Sequence, residues 1–229
     1  MKRMQSFIAV LLFGLSLVAC KKDEINPPNN TNTPDRRGTY VGTIADAGGG
    51  GALTVNVGVA KVVDILPVSG VYRPASGGTV TLSGTYNTAN DSMYASGGGY
   101  TFAGRFNGGL ISGPFTGPNG AGIFTLAASS ATNPVSVYTG SFVAGDDHGP
   151  FNFSISGSTL SGVAYVVNQS ASVSLAGTVQ GANITIVDPA RNNRVIGTGT
   201  ISNNGNSVSG QTIGSNGQPN GTWSGTKVQ

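Results

Sequence analysis

Residues 151–179 read FNFSISGSTLSGVAYVVNQSASVSLAGTV, and apolar side chains or glycines recur in them at every second position. The side chains predicted to share one face are Phe151, Phe153, Ile155, Leu160, Gly162, Ala164, Val166, Val173, Leu175, Gly177 and Val179. A period of two residues is typical of β-strands with one buried face, whereas helices require apolar residues at every third or fourth position. The stretch therefore predicts an all-β protein.

The same texture continues on both sides of this stretch. Short runs of Val, Ile, Thr, Phe and Tyr alternate with turn residues such as Gly157, Gly181, Gly205 and Gly217, which supply the positive φ of tight hairpins. Eight strands are predicted in the C-terminal half, at residues 137–144, 149–156, 159–167, 171–179, 182–188, 194–202, 207–213 and 219–228.

An internal repeat organises the chain. Four short segments recur in the same order at offsets of 98, 93, 97 and 97 residues. The matched pairs are residues 40–44 with 138–142, 80–85 with 173–178, 111–113 with 208–210, and 119–120 with 216–217. Four collinear matches indicate a duplicated unit. We place repeat 1 at residues 38–128 and repeat 2 at residues 137–229, joined by the small polar segment 128–136.

Eight short strands joined by tight turns form a meander whose edges must be protected. Glycines share the faces of the bulky residues, so the sheet can curl there while a neighbouring aromatic ring fills the space. We therefore predict two tandem antiparallel up-and-down β-barrels of about eight strands each, with two β-sandwiches as the alternative. Residues 221–223, GTW, resemble strand starts of streptavidin-type barrels, and no ligand-binding residue is carried over from that resemblance.

The N-terminus has the three parts of an export signal. Lys2 and Arg3 are followed by an apolar run at residues 7–18 and then by residues 17–20, LVAC. This last segment resembles the lipobox of bacterial lipoproteins. The resemblance implies removal of residues 1–19 and modification of the Cys20 thiol with diacylglycerol, so that acyl chains such as palmitate hold the protein to a membrane.

The residues after the cysteine add an address. Residues 21–24, KKDE, resemble the start of surface lipoproteins from Bacteroidota-type bacteria. That resemblance implies that Lys22, Asp23 and Glu24 direct export to the outer face of the outer membrane, with its periplasmic face as the alternative. Residues 20–37 are rich in Pro, Asn and charge, so we expect a lipidated flexible tether.

Charge and composition exclude several classes of function. From Gly38 onward, six basic residues balance six aspartates, so the folded part carries no basic patch for nucleic acid. That part has one histidine and neither cysteine nor glutamate, and no motif predicts a cofactor. Scattered aspartates such as Asp64, Asp91 and Asp188 would support catalysis only by converging with His148 in one cleft. We expect no catalytic residues and no enzyme.

Two local motifs are candidates for other sites. Asp146, Asp147 and His148 carry metal-ligand chemistry, although adjacent side chains seldom converge on one ion, and a solvated turn is the competing interpretation. Asp91-Ser92-Met93 resembles the acceptor motif for O-linked glycans in exported proteins of these bacteria, with Ser92 as the acceptor.

The polar segments leave further choices open. Residues 191–194, RNNR, offer two arginines that either contact an anionic partner or keep a turn soluble. Residues 47–52, AGGGGA, lack the Lys-Ser/Thr of a phosphate loop and predict a flexible hairpin turn. The aromatic residues are predicted to serve as core, the alternative being a sugar- or lipid-binding surface; they are Tyr72, Tyr94, Tyr100, Phe102, Phe106, Phe115 and Trp223.

The sequence thus predicts a lipid-anchored, surface-displayed, non-catalytic β-protein whose repeats act as a binding or structural module for an unknown ligand of the cell envelope. The alternative is a barrel that holds a small apolar ligand in its interior, which requires small inward side chains such as Gly and Ala.

Anchoring can be tested by mass. Protein isolated from bacterial membranes should lack its first nineteen residues and carry acyl chains on Cys20, both visible by intact-mass spectrometry. The Cys20→Ser variant has no thiol to acylate and should lose the lipid mass. An unmodified thiol or a retained leader in the wild-type protein would contradict the anchor.

Overall fold

The computed structural model describes residues 35–59, 64–75, 77–107 and 109–229. Asp35–Gln229 is one compact unit built almost entirely of β-strands. The first eight strands are β1 (Gly38–Ala45), β2 (Gly51–Val57), β3 (Ile65–Pro74), β4 (Val80–Asn87), β5 (Ser92–Gly97), β6 (Tyr100–Asn107), β7 (Leu110–Gly117) and β8 (Gly120–Ser129). No helix among the described residues has the length and apolarity to cross a bilayer.

The second eight strands follow after a five-residue connection. They are β9 (Val135–Ala144), β10 (Asp147–Ser156), β11 (Thr159–Val166), β12 (Ala171–Gln180), β13 (Asn183–Asp188), β14 (Arg194–Ile201), β15 (Ser207–Ile213) and β16 (Pro219–Lys227). Each lies within two residues of its predicted bounds. Two three-residue 3₁₀ helices, Val167–Gln169 and Pro189–Arg191, interrupt the meander.

The strands form two closed antiparallel barrels, here called barrel 1 (β1–β8) and barrel 2 (β9–β16). Each strand pairs with the next along the chain, and closure comes from β1 pairing with β8 and β9 with β16. Closure satisfies the edges that an open meander would expose. The predicted pair of up-and-down barrels is confirmed, and the sandwich alternative is wrong.

The same register runs around both barrels. Gly42 lies opposite Leu53 in barrel 1, as Gly140 lies opposite Phe151 in barrel 2. Followed from strand to strand, inward positions of one barrel acquire equivalents in the other, and the equivalences agree after a full circuit. Barrel 2 departs from this register at two bulges, between Ile186 and Val187 and between Thr212 and Ile213. The matches at residues 80–85 and 111–113 fall on equivalent positions of the two barrels, as expected for a duplicated unit.

Aromatic side chains fill barrel 1. Phe102 is fully buried at the centre, with its ring centroid 5.7 Å from that of Phe115 and 5.6 Å from that of Phe124. The rings of Tyr72 and Tyr100 pack beside it at 6.2 Å and 6.3 Å. Phe106 is buried as well, so the prediction of a core role is confirmed for these residues and for Trp223 of barrel 2. Tyr94 is the exception, since its side chain is exposed on the outer wall.

Inward glycines make room for these rings, as predicted. A Cβ added at Gly199 or Gly210 would lie 2.4 Å or 2.7 Å from ring atoms of Trp223. Phe151 covers Gly140 in the same way, with a ring carbon 2.7 Å from the position of the absent Cβ. The curl of the sheet and the filling of its inner surface therefore depend on glycine and aromatic residues together.

The two barrels pack against each other through their outer walls. Val41, Ala52, Ala127, Val135 and Val137 point away from the barrel interiors and are nevertheless buried in a shared apolar cluster. Removal of this surface from water stabilises the pair at roughly 25 cal/mol per Å² of apolar area. The interface orients barrel 2 rigidly on barrel 1.

A polar contact completes the interface. Asp46 Oδ1 accepts hydrogen bonds from the backbone amides of Gly48 and Gly50, at 2.8 Å and 3.1 Å. Asn152, fully buried on β10, donates from Nδ2 to the carbonyl of Gly49 at 2.9 Å. Residues 47–52 thus belong to the predicted hairpin turn between β1 and β2, and Asp46 and a side chain of barrel 2 hold its backbone by hydrogen bonds.

Substitution of an inward glycine should destabilise the fold where the neighbouring strand approaches closely. At Gly84 a Cβ would lie 1.9 Å from the carbonyl oxygen of Tyr94, so Gly84→Ala requires β4 and β5 to separate. We expect the free energy of unfolding to fall by about 1–3 kcal/mol, as in overpacked cores. Urea denaturation followed by far-UV circular dichroism, which reports on the strands of both barrels, would measure it.

Gly78 is the matched control, because no atom lies within 4 Å of its absent Cβ and its φ is not positive. Gly78→Ala should leave the midpoint nearly unchanged. Equal effects of the two substitutions would contradict the close-approach explanation.

Candidate functional site

Barrel 2 contains a cavity of about 310 Å³ that opens at one end. It lies where β9, β11, β13 and β15 finish and where β10, β12, β14 and β16 begin. Its wall is mainly apolar and includes Phe142, Phe151, Leu175, Ile186, Ile196 and Trp223. A cavity of this volume is within the usual range for small-molecule sites, which begins at about 300 Å³.

The cavity exists because three bulky residues of barrel 1 are replaced by small ones. At the position equivalent to Tyr72, which lies opposite Leu53, barrel 2 has Ala164, which lies opposite Phe151. Tyr72 is fully buried in the centre of barrel 1. The loss of its ring therefore opens space at the matching depth of barrel 2.

The other two replacements lie on neighbouring strands. Gly197 is equivalent to Phe102, and Thr212 is equivalent to Phe115. All three small residues of barrel 2 line the cavity. In barrel 1 the rings at these positions pack on one another, with centroids 5.7 to 6.2 Å apart. Barrel 2 lacks this whole aromatic stack.

The inner end of the cavity is closed. Phe151, Phe153 and Trp223 pack together with ring centroids 5.3 to 6.2 Å apart. Beyond them, the Tyr138 hydroxyl donates to the carbonyl of Gly205 at 2.8 Å. The Trp223 Nε1–H donates to the carbonyl of Gln211, so this ring presents an apolar surface to the cavity. A ligand can enter from one end only.

Polar residues surround the open end. Five residues, 189–193, connect β13 to β14, whereas the equivalent connection in barrel 1 has two, Gly98 and Gly99. The longer loop begins with Asp188, whose buried carboxylate accepts from the Ala190 amide at 2.9 Å and lies 3.4 Å from Nε of Arg191. Barrel 2 therefore differs from barrel 1 in its mouth as well as in its interior.

A second carboxylate at the mouth is held by amide side chains. Asp147 accepts hydrogen bonds from Nδ2 of Asn168 at 2.9 Å and from Nε2 of Gln169 at 3.0 Å. Both acidic groups at the mouth thus have partners. Nε of Arg194, in contrast, is buried beside the cavity and has no hydrogen-bond partner among the described residues.

The candidate metal ligands do not come together. Asp147 and His148 are consecutive on β10, so their side chains point to opposite faces, and Asp147 is the one that lines the cavity. Asp146 is exposed in the turn. Within the described residues, no three His, Cys, Asp or Glu side chains are grouped closely enough to hold a metal ion. The solvated-turn interpretation fits this arrangement.

The candidate glycan acceptor Ser92 lies at the start of β5, with its flanking residues committed to the fold. Met93 is buried in the core, and the Asp91 carboxylate accepts a hydrogen bond from the Tyr86 hydroxyl. Nε of Arg36 lies 3.4 Å from Asp91, and its guanidinium carbon lies 4.7 Å from the centroid of the Phe106 ring. The end of the predicted tether is therefore fixed across one end of barrel 1.

Of the scattered acidic residues and His148, Asp188 lines the cavity, whereas Asp64, Asp91 and His148 do not. Asp64 and Asp91 belong to barrel 1, whereas Asp188 and His148 belong to barrel 2. Cys20, Lys22, Asp23 and Glu24 lie outside the described residues. Arg194 is the residue that sequence reasoning underestimated, since the RNNR segment gave no sign that one arginine is partly buried.

The contact between Arg36 and Asp91 predicts a pH dependence. The Tyr86 hydroxyl, and secondarily Arg36, lowers the pKa of Asp91 below its ordinary value. Stabilisation by a lowered carboxyl pKa is present above the unfolded-state pKa, about 3.9, and is lost as pH falls through the folded-state pKa. The difference in unfolding free energy between wild type and Asp91→Asn should therefore shrink as pH falls from about 4 through the folded-state pKa of Asp91.

Denaturation series at several pH values would measure this difference. The Tyr86→Phe background is the control, because it removes the largest cause of the shift and should flatten the pH dependence. A difference that stays constant with pH in the presence of Tyr86 would contradict the assignment.

Comparison with known proteins does not indicate a function. No protein-family model matches the chain, and no curated protein matches its sequence.

Proposed function

We propose that the protein is a non-catalytic ligand-binding module, held to the outer membrane of a bacterium by lipid on Cys20 and displayed at the surface. In this proposal barrel 2 binds a small, mainly apolar molecule in its interior. The observation that carries it is the one-ended cavity of about 310 Å³, which opens where barrel 1 is filled by Tyr72, Phe102 and Phe115.

The size and chemistry of the cavity define the ligand class. An apolar cavity of about 150 Å³ accommodates benzene, so a cavity of twice that volume accommodates roughly twelve non-hydrogen atoms. The wall supplies aromatic and aliphatic contacts, and the Thr212 hydroxyl donates a hydrogen bond to the carbonyl of Val143 at 2.9 Å. A flexible alkyl chain or a small ring system fits this interior.

The repeats differ in this respect, so duplication does not supply two equivalent interior sites. The interior of barrel 1 is instead filled, and barrel 2 packs against its outer wall. The lipobox at residues 17–20 and the segment KKDE at residues 21–24 support the anchor and the surface location. The dispersal of Asp64, Asp91, Asp188 and His148 over two barrels supports a role without catalysis.

Restoring the missing ring should abolish binding. Ala164→Tyr places in barrel 2 the residue that barrel 1 has at the equivalent position, so its side chain should fill the cavity without disturbing the register. Decan-1-ol, an uncharged chain of suitable size, should bind the wild-type protein and lose at least about tenfold in affinity with the variant. Isothermal titration of residues 21–229 would measure this, since all sixteen strands find their partners within that segment.

Thr178→Tyr is the matched control, because Thr178 is exposed on the outside of β12. It should bind decan-1-ol as the wild type does. Identical binding by the Ala164→Tyr and wild-type proteins, or no binding to the wild type, would overturn the interior site.

A further inference from the structure

We infer that the ligand of barrel 2 is an amphiphile with a single carboxylate head, and that Arg194 recognises this head at the mouth of the cavity. The inference rests on the proposed function, because it assigns the chemistry of a ligand held in the same cavity.

Four charged residues line the cavity at its mouth: Asp147, Asp188, Arg191 and Arg194. Asp147 is held by Asn168 and Gln169, and Asp188 is held by the Ala190 amide and by Arg191. Three of the four charged groups therefore have hydrogen-bond or ion-pair partners within the protein.

Arg194 is the fourth charged residue at the mouth. Its Nε is shielded from solvent and makes no hydrogen bond within the described part of the chain. Arg194 lies opposite Asp188 in the β13–β14 register, yet no ion pair joins their side chains. A cationic side chain without an acceptor is costly at a partly desolvated site, and a ligand oxygen bound to the guanidinium group of Arg194 at the cavity mouth would lower that cost.

Arg194 lies at the rim of the cavity, at the start of β14. Ile196 and Gly197 continue the same strand into the apolar wall. A head bound at Arg194 therefore leaves its chain beside Gly197, in the space that Phe102 occupies in barrel 1. Head and chain sites lie on one strand in the order that an amphiphile requires.

The charged groups at the mouth also restrict the chemistry of the ligand's head group. A guanidinium group binds carboxylates and phosphates through paired hydrogen bonds. Two carboxylates already lie at this mouth, and they repel a dianionic phosphate more strongly than a monoanion. The balance of these attractions and repulsions favours a carboxylate.

The longer loop that carries Arg191 and leads into Arg194 has no counterpart in barrel 1, whose equivalent turn is Gly98-Gly99.

Titration calorimetry of residues 21–229 with three ligands of one chain length tests the inference. Decanoate should bind about 10- to 100-fold more tightly than decan-1-ol, as expected for a charge-assisted hydrogen bond. It should also bind more tightly than decyl phosphate. Arg194→Gln should remove the advantage of decanoate over decan-1-ol.

Arg105→Gln is the matched control, because it removes one exposed arginine from the outer wall of barrel 1 and should change neither affinity. Thermal unfolding of both variants would verify that they are folded. Equal affinity for decanoate and decan-1-ol, or an Arg194→Gln variant that keeps the preference, would overturn the role of Arg194 while preserving the interior site.

Tighter binding of decyl phosphate would overturn the carboxylate assignment. Absence of binding by all three ligands would instead overturn the proposed function itself. The two failures are therefore distinguishable in one set of titrations.

Discussion

Closure of each barrel by a fixed strand register is the constraint on which the rest of the structure depends. Once β1 pairs with β8, and β9 with β16, the direction of every side chain along every strand is determined. The interior can then change only by replacement of residues at a fixed set of inward positions. Because both barrels use the same register apart from the two bulges of barrel 2, most differences between their interiors are differences between paired residues.

The parts of the two barrels that stabilise the fold are separate from the part that forms the open cavity. Barrel 1 buries a continuous aromatic core, and its outer wall at Val41 and Ala127 packs against Val135 and Val137 of barrel 2. Barrel 2 is thus supported from outside by the interface and from inside by the cluster of Phe151, Phe153 and Trp223. Its hollow end can remain unfilled because neither support passes through it.

Much of this fold could be predicted from the sequence, because strand alternation is a local signal. Phe151 and Phe153 share a face in any extended chain, and Asn204-Gly205 is a turn signal whatever surrounds it. The local sequence did not show that Ala164 is equivalent to Tyr72. Their separation of 92 residues differs from the offsets of the matched segments, and only the register across β2 and β3 reveals it.

The mouth of the cavity was harder still. The RNNR segment shows two arginines in a turn, and it does not reveal that Nε of Arg194 is shielded from solvent. The approach of residues 47–52 to Asn152 depends on how two barrels dock, which no single strand encodes. What sequence reasoning missed are contacts between segments far apart in the chain.

The duplication supplies a physical reason to treat the hollow as a site and not as a packing defect. A sealed, empty cavity of about 310 Å³ would cost roughly 7 kcal/mol at 24 cal/mol per Å³, an upper bound for one that is open to water. Domains are stable by only about 5–15 kcal/mol, so a cost of this order is large. Barrel 1 demonstrates that the same frame accepts a filled interior through Tyr72, Phe102 and Phe115. Barrel 2 forgoes all three rings and places an unpartnered arginine nitrogen beside the resulting space, and a bound amphiphile would compensate both losses at once.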